Sequence, residues 1–107
     1  MATRALRVQS SIKENKDSID TTELLGVLTA FKDGDFTVRM KSDKAGIAGK
    51  IADALNDVIT HNQKIAAEFA RVYGAVANEG KMGQRVAVAG ANGSWAACVD
   101  SVNGLIS

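Results

Sequence analysis

The chain has 107 residues, and its hydrophobic fraction of 46% excludes wholesale disorder. Its 13 basic and 12 acidic residues are interspersed and give a net charge of +1, so the sequence predicts no nucleic-acid-binding surface. No run approaches the roughly 18 to 20 apolar residues that cross a bilayer, and the single cysteine, Cys98, cannot form an internal disulfide. These features predict a cytoplasmic domain in which Cys98 is a small buried residue.

The first 20 residues form a polar leader. Their apolar residues follow a weak heptad pattern, which fits a lead-in helix or a flexible leader equally well. The phase of that pattern does not continue smoothly into the next apolar stripe, so we expect a discontinuity near Asp20.

A first helix is predicted over residues 21–33. Asp20 followed by Glu23 is typical of a capping box, in which the two side chains reciprocally satisfy free amides at a helix start. An apolar stripe runs from Leu24 to Phe31, and Gly34 fits the left-handed position past a helix end.

After Gly34 the apolar period changes to two, with Phe36, Val38 and Met40 alternating with polar residues. This pattern predicts a short extended connector whose apolar side chains lie along a helix groove. An isolated strand is the alternative, but the sequence shows no second strand that could pair with it.

A long helix is the strongest secondary-structure prediction. Its a and d positions are spaced alternately four and three residues apart over more than three heptads, as a coiled coil requires: they are Ile51, Leu55, Val58, Asn62, Ile65, Phe69, Val72 and Val76. We expect this helix to end near Glu79 and to be kinked or softened at Gly74, since glycine costs about 1 kcal/mol relative to alanine there. Asn62 at an a position either fixes the register as a buried amide or is a partly hydrated amide.

The last part of the chain predicts a second connector and a final helix. The glycine-rich turn at residues 89–94 lacks the lysine-serine pair of a phosphate-binding loop, so it predicts a flexible turn. The final helix starts near Trp95 and carries Cys98, Val102 and Leu105 on one face. It stops without a cap, so we expect it to be truncated within a longer protein.

Two segments of the chain recur. Residues 34–40 return 46 positions later, and residues 52–59 return 47 positions later, so one extra residue is expected in the second connector. A period of this length is a helix-connector-helix unit. The sequence therefore predicts two repeats, at residues 21–66 and 67–107, which share a continuous helix.

These repeats resemble the HAMP domain, and more narrowly the tandem HAMP arrays of soluble hybrid sensor histidine kinases. The resemblance depends on matching positions in each repeat: Gly34, Phe36, Met40, Gly49, Ile51, Leu55 and Asn56 in the first, then Gly80, Met82, Val86, Val102 and Asn103 in the second. Where many HAMP domains have an Asp-Glu pair at the start of the second helix, this chain has Gly46 and Ile47.

The resemblance implies an all-α fold: a parallel homodimer in which each repeat forms a four-helix coiled coil with its connectors outside. It implies a non-catalytic signal relay towards a kinase domain of the same parent chain, with adjacent repeats as neighbours and without a cofactor. The candidate signalling residues are the matching positions named above, together with Val58 and Asn62. A passive dimerisation rod is the alternative. Catalysis and metal binding are not expected, because His61 has no second histidine or orienting acid at a suitable spacing.

Overall fold

The computed structural model describes residues 18–43 and 45–106. Within these ranges the fold is all-α and contains no strand, which confirms the all-α part of the predicted fold class. The described residues form three α-helices: α1 (Thr21–Lys32), α2 (Gly46–Tyr73) and α3 (Ser94–Ile106). The predictions for the leader lie outside the described residues, apart from positions 18–20.

The chain divides into two compact units, the first ending at Thr60 and the second beginning at His61. Helix α2 contributes its first part to unit 1 and the remainder to unit 2. The division falls before the repeat boundary that the sequence predicted at residue 66. Connector 1 (residues 33–45) belongs to unit 1, and connector 2 (residues 79–93) belongs to unit 2.

Helix α1 begins at the predicted residue and ends one residue before the predicted end, with Asp33 as its C-cap. Asp20 has extended backbone angles, and its Oδ1 accepts hydrogen bonds from the N–H groups of Thr22 and Glu23, both at 3.0 Å. At the other end Gly34 has a φ of 99°, which glycine adopts without steric strain. The Asp35 N–H then donates to the Ala30 carbonyl at 2.9 Å and closes the helix end.

The end of the long helix is wider than the end of α1. From Gly74 to Asn78 the backbone is π-helical, so the change in helix type starts at the glycine where we expected a kink or softness. The Lys81 N–H donates to the Ala75 carbonyl, six residues back, whereas the matching bond in α1 spans five. The π turn therefore takes up one additional residue before connector 2.

Connector 1 completes the core of unit 1. Val27 of α1, Met40 of the connector, and Ala52 and Ile59 of α2 are buried together, with Ile59 fully enclosed. Phe36, Val38 and Leu55 pack against this cluster as partly buried residues. The alternating apolar residues of connector 1 therefore pack against the helices, as their period of two predicted.

Candidate functional site: two clamped connectors

A side-chain amide holds connector 1 in place. Asn56 Oδ1 accepts a hydrogen bond from the Met40 N–H at 2.7 Å, and Asn56 Nδ2 donates to the Met40 carbonyl at 2.9 Å. Both backbone groups of a residue that leaves only 4% of its surface exposed are thus satisfied by one side chain. We call this pair of hydrogen bonds an amide clamp.

The same amide clamp occurs in unit 2. Asn103 Oδ1 accepts from the Val86 N–H at 2.7 Å, and Asn103 Nδ2 donates to the Val86 carbonyl at 3.0 Å. Val86 is buried like Met40. Asn56 and Asn103, which belong to the sequence resemblance, therefore have the same physical role. Each fixes a connector residue against the helix that follows the connector.

In each unit, a carboxylate from the helix that precedes the connector binds the next connector residue. Glu23 Oε2 accepts from the Lys41 N–H at 2.9 Å, and Glu68 Oε2 accepts from the Ala87 N–H at 2.8 Å. Sequence reasoning missed both roles, because Glu23 fitted a capping box and Glu68 lay off the predicted seam. The available signal was their spacing of 45 residues, each in the helix that precedes a connector.

The carboxylate of Glu68 is strongly held in its ionised form. Arg71 donates to it through Nε at 2.9 Å and Nη2 at 2.8 Å, forming a bidentate ion pair. These hydrogen bonds, together with the one from Ala87 N–H, lower the pKa of Glu68 from 4.5 to about 2. The same pairing raises the pKa of Arg71.

Connector 1 is further shaped by local contacts. The rings of Phe31 and Phe36 lie with their centroids 5.3 Å apart in a tilted arrangement. Arg39 Nη1 donates to the carbonyls of Phe36 and Val38 at 2.9 and 2.6 Å. These contacts stabilise the turn that brings Phe36 against α1.

Asp35 orders the start of the same connector. Its carboxylate accepts from the Thr37 hydroxyl and from the Thr37 N–H, and these two hydrogen bonds lower the pKa of Asp35. Such a local turn is a common use of aspartate after a helix end.

Connector 2 differs from connector 1 at one expected packing position. Met82 matches Phe36 in the repeat, but Met82 is 60% exposed whereas Phe36 packs against the core. Its neighbour Gly80 has a φ of 70° and accepts the Met82 N–H through its carbonyl, which bends the chain tightly there. The position that matches Phe31 is Val76, so Met82 has no aromatic partner of the Phe31 kind.

Helix α2 carries two apolar faces in unit 1. Ala48, Ala52 and Ile59 face the core and are buried, whereas Ile51 and Val58 of the predicted seam are 43% and 48% exposed. Consecutive helical residues point about 100° apart, so Val58 and Ile59 necessarily lie on different faces. Leu55 and Asn62 are half-buried, and Gly49 is buried.

The predicted seam is partly covered in unit 2, where Ile65 and Val72 are buried and Phe69 and Val76 are half-buried. An apolar groove of about 240 Å³ is lined by residues of α2, the π turn, connector 2 and α3, including Phe69, Val86 and Val102. Leu105 is almost fully exposed, and Cys98 is exposed rather than buried as its pattern predicted. Of the three residues predicted on one face of α3, Val102 lines the groove, whereas Cys98 and Leu105 do not.

A comparison with protein-family models found no match to this chain, and a comparison with solved structures found none either. No helix among the described residues is long and apolar enough to cross a membrane. Residues 18–43 and 45–106 also contain no group of three or more His, Cys, Asp or Glu side chains arranged to hold a metal ion.

Proposed function

We propose that this chain is a non-catalytic dimerisation and signal-relay module of the HAMP type, working in the cytoplasm within a sensor histidine kinase. One observation carries the proposal. In unit 1, helix α2 has two apolar faces, and only the face that carries Ala52 and Ile59 is buried in the core. On the heptad seam, Ile51 and Val58 of unit 1 are 43% and 48% exposed, as residues that pack against a partner helix are in a single chain, whereas Ile65 and Val72 of unit 2 are buried within the chain.

A second copy of the chain is the partner that fits this face. Helix α1 likewise exposes Leu25 and Leu28 beside its buried residue Val27. Pairing two such units would place four apolar stripes around one axis, which is the geometry of a four-helix coiled coil. The nearly balanced charge, with both signs interspersed, presents no large repulsive field to self-association.

The clamped connectors favour a relay over a passive rod, which remains the second candidate. A rod needs only the heptad seam, whereas each repeat of this chain fixes its connector with an asparagine and a glutamate. A relay requires two helix packings whose free energies differ by a few kcal/mol. A connector that is attached at defined points couples both helices of its repeat to whichever packing is adopted.

Disulfide trapping tests the dimer. With Cys98→Ala as background, Val58→Cys is expected to cross-link rapidly and almost completely, because a parallel dimer in register places the two copies of residue 58 face to face. A disulfide tolerates Cα separations of only about 4.4 to 6.8 Å. The measurement is the fraction of cross-linked dimer over time under mild oxidation.

Asp53→Cys in the same background is the matched control. Asp53 is exposed on the same helix, about 140° around the axis from Val58. It is expected to react slowly at most. Equal rates for the two positions, or no cross-linking at residue 58, would remove the parallel bundle from consideration.

The relay itself is tested with Phe36→Ala in the protein that carries this chain. Removing the ring eliminates its contact with Phe31, so we expect the ratio of stimulated to unstimulated autokinase activity to fall by about fivefold or more. The protein is expected to remain dimeric. Lys41→Ala is the control, because its exposed side chain is removed while the backbone N–H that binds Glu23 is kept. An unchanged ratio in a dimeric Phe36→Ala protein would favour the passive rod.

A further inference from the structure

The two connectors are held alike by their asparagine and glutamate but differ in what supports the glutamate. In unit 2, Arg71 makes four hydrogen bonds to Glu68 and to the middle of connector 2. Two of them reach the Glu68 carboxylate, one reaches Gln84 Oε1 at 2.8 Å, and one reaches the Arg85 carbonyl at 3.0 Å. One guanidinium thus links the helix carboxylate to two consecutive connector residues.

Helix α1 of unit 1 carries no equivalent group at the matching position. Glu23 occupies the place of Glu68, and the residue three positions further along α1 is Gly26, where α2 has Arg71. Glycine has no side chain, so helix α1 cannot supply a guanidinium at this point. Gly26 also weakens α1 by about 1 kcal/mol relative to alanine.

We propose that Glu68 and Arg71 form a latch that holds connector 2 on helix α2, and that helix α1 holds connector 1 through Glu23 without such a latch. The glutamate acts as the direct partner of the Ala87 N–H, and Arg71 is a positioning residue that fixes the glutamate. The inference concerns how each connector is held, and it stands whether or not the chain relays a signal.

The surroundings of Glu68 support this assignment. Its side chain is only 17% exposed, and the basic residues Arg71 and Lys64 line the same groove beside connector 2. Such a carboxylate stays ionised and keeps its two acceptor oxygens for Arg71 and the Ala87 N–H. The low pKa of Glu68 agrees with this geometry.

Amide hydrogen exchange in the 107-residue chain tests the latch. Arg71→Met keeps an unbranched apolar stem and removes the guanidinium, so the Ala87 N–H is expected to exchange about three to ten times faster. The Lys41 N–H in unit 1 serves as the internal reference and is expected to keep its rate. Arg71→Lys keeps the charge without the fork, and an intermediate rate is expected.

The reverse experiment installs the latch in unit 1. A side chain at Gly26 would meet no atom within 4 Å at its Cβ, so Gly26→Arg fits without steric conflict. Relative to Gly26→Ala, which matches the gain in helix propensity, Gly26→Arg is expected to slow Lys41 N–H exchange about threefold or more.

The outcomes separate cleanly. In folded Arg71→Met, the exchange rate of the Ala87 N–H is measured relative to that of the Lys41 N–H. If this relative rate stays within about twofold of its value in the parent chain, the latch is overturned. Equal Lys41 exchange in Gly26→Arg and Gly26→Ala overturns it as well. Failure of cross-linking at residue 58 would refute the dimer proposal and leave both exchange results meaningful.

Discussion

Replacing Ile59 with alanine is expected to lower the free energy of unfolding by about 2 to 5 kcal/mol, the largest effect of any single change considered for this chain. Ile59 is the largest fully buried side chain among the described residues, and it contacts a cluster that includes Val27, Met40 and Ala52. Removing three carbons there forfeits their burial and leaves a cavity, because helices from two sides and a clamped connector limit collapse. Urea unfolding followed by helical circular dichroism measures the loss.

Val58→Ala is the matched control, since it truncates the neighbouring residue on the same helix. In a single chain Val58 is 48% exposed, so at protein concentrations that keep the chain monomeric the effect is expected to stay below about 1 kcal/mol. At concentrations that permit a dimer, the Val58→Ala effect should grow, whereas the Ile59→Ala effect should remain. Equal losses for both variants in the monomer would show that the inner and outer faces of α2 are wrongly assigned.

Asn56→Ala is expected to destabilise the chain by about 2 to 4 kcal/mol through a different mechanism. The substitution removes both hydrogen bonds of the amide clamp and leaves the N–H and carbonyl of buried Met40 without their partner. Asn103→Ala is expected to act in the same way on Val86. Urea unfolding gives the magnitude, and amide exchange at Met40 and Val86 shows whether each connector opens locally.

Two variants define the cause of that loss. Asn92→Ala removes an exposed asparagine in connector 2 and is expected to be nearly neutral. Asn56→Asp keeps an acceptor for the Met40 N–H but places an ionised oxygen against the Met40 carbonyl, so at neutral pH it is expected to destabilise as well. A neutral Asn56→Ala, or a local opening at Met40 in the Asn92→Ala protein, would contradict the clamp.

The helices were the most predictable part of this chain. Heptad spacing located α2, and Asp20 and Gly34 marked the ends of α1 through capping chemistry that depends on neighbouring residues alone. The alternation of Phe36, Val38 and Met40 predicted their packing because inward-facing residues of an extended segment follow a period of two. Asn56 and Asn103 were identified as important by the repeat, although the repeat does not state what an asparagine bonds.

The remaining features depend on contacts between distant parts of the sequence. Glu23 lies three residues after a capping aspartate, so a local interpretation assigned it to the helix start, whereas its carboxylate binds Lys41, 18 residues further on. The exposure of Met82 depends on a tight bend after Gly80 that no apolar pattern encodes. A heptad likewise identifies an apolar seam without identifying the partner that covers it.

The π turn has a consequence for how repeats of this kind can be joined. Inserting one residue into an α-helix rotates the rest of the helix by about 100° and advances it by about 1.5 Å. In unit 2 the additional residue is absorbed between Ala75 and Lys81, so the heptad phase of α2 up to Val72 does not depend on the length of connector 2. The one-residue difference between the two units is therefore confined to the π turn, and the residues of α2 before Gly74 keep their α-helical spacing.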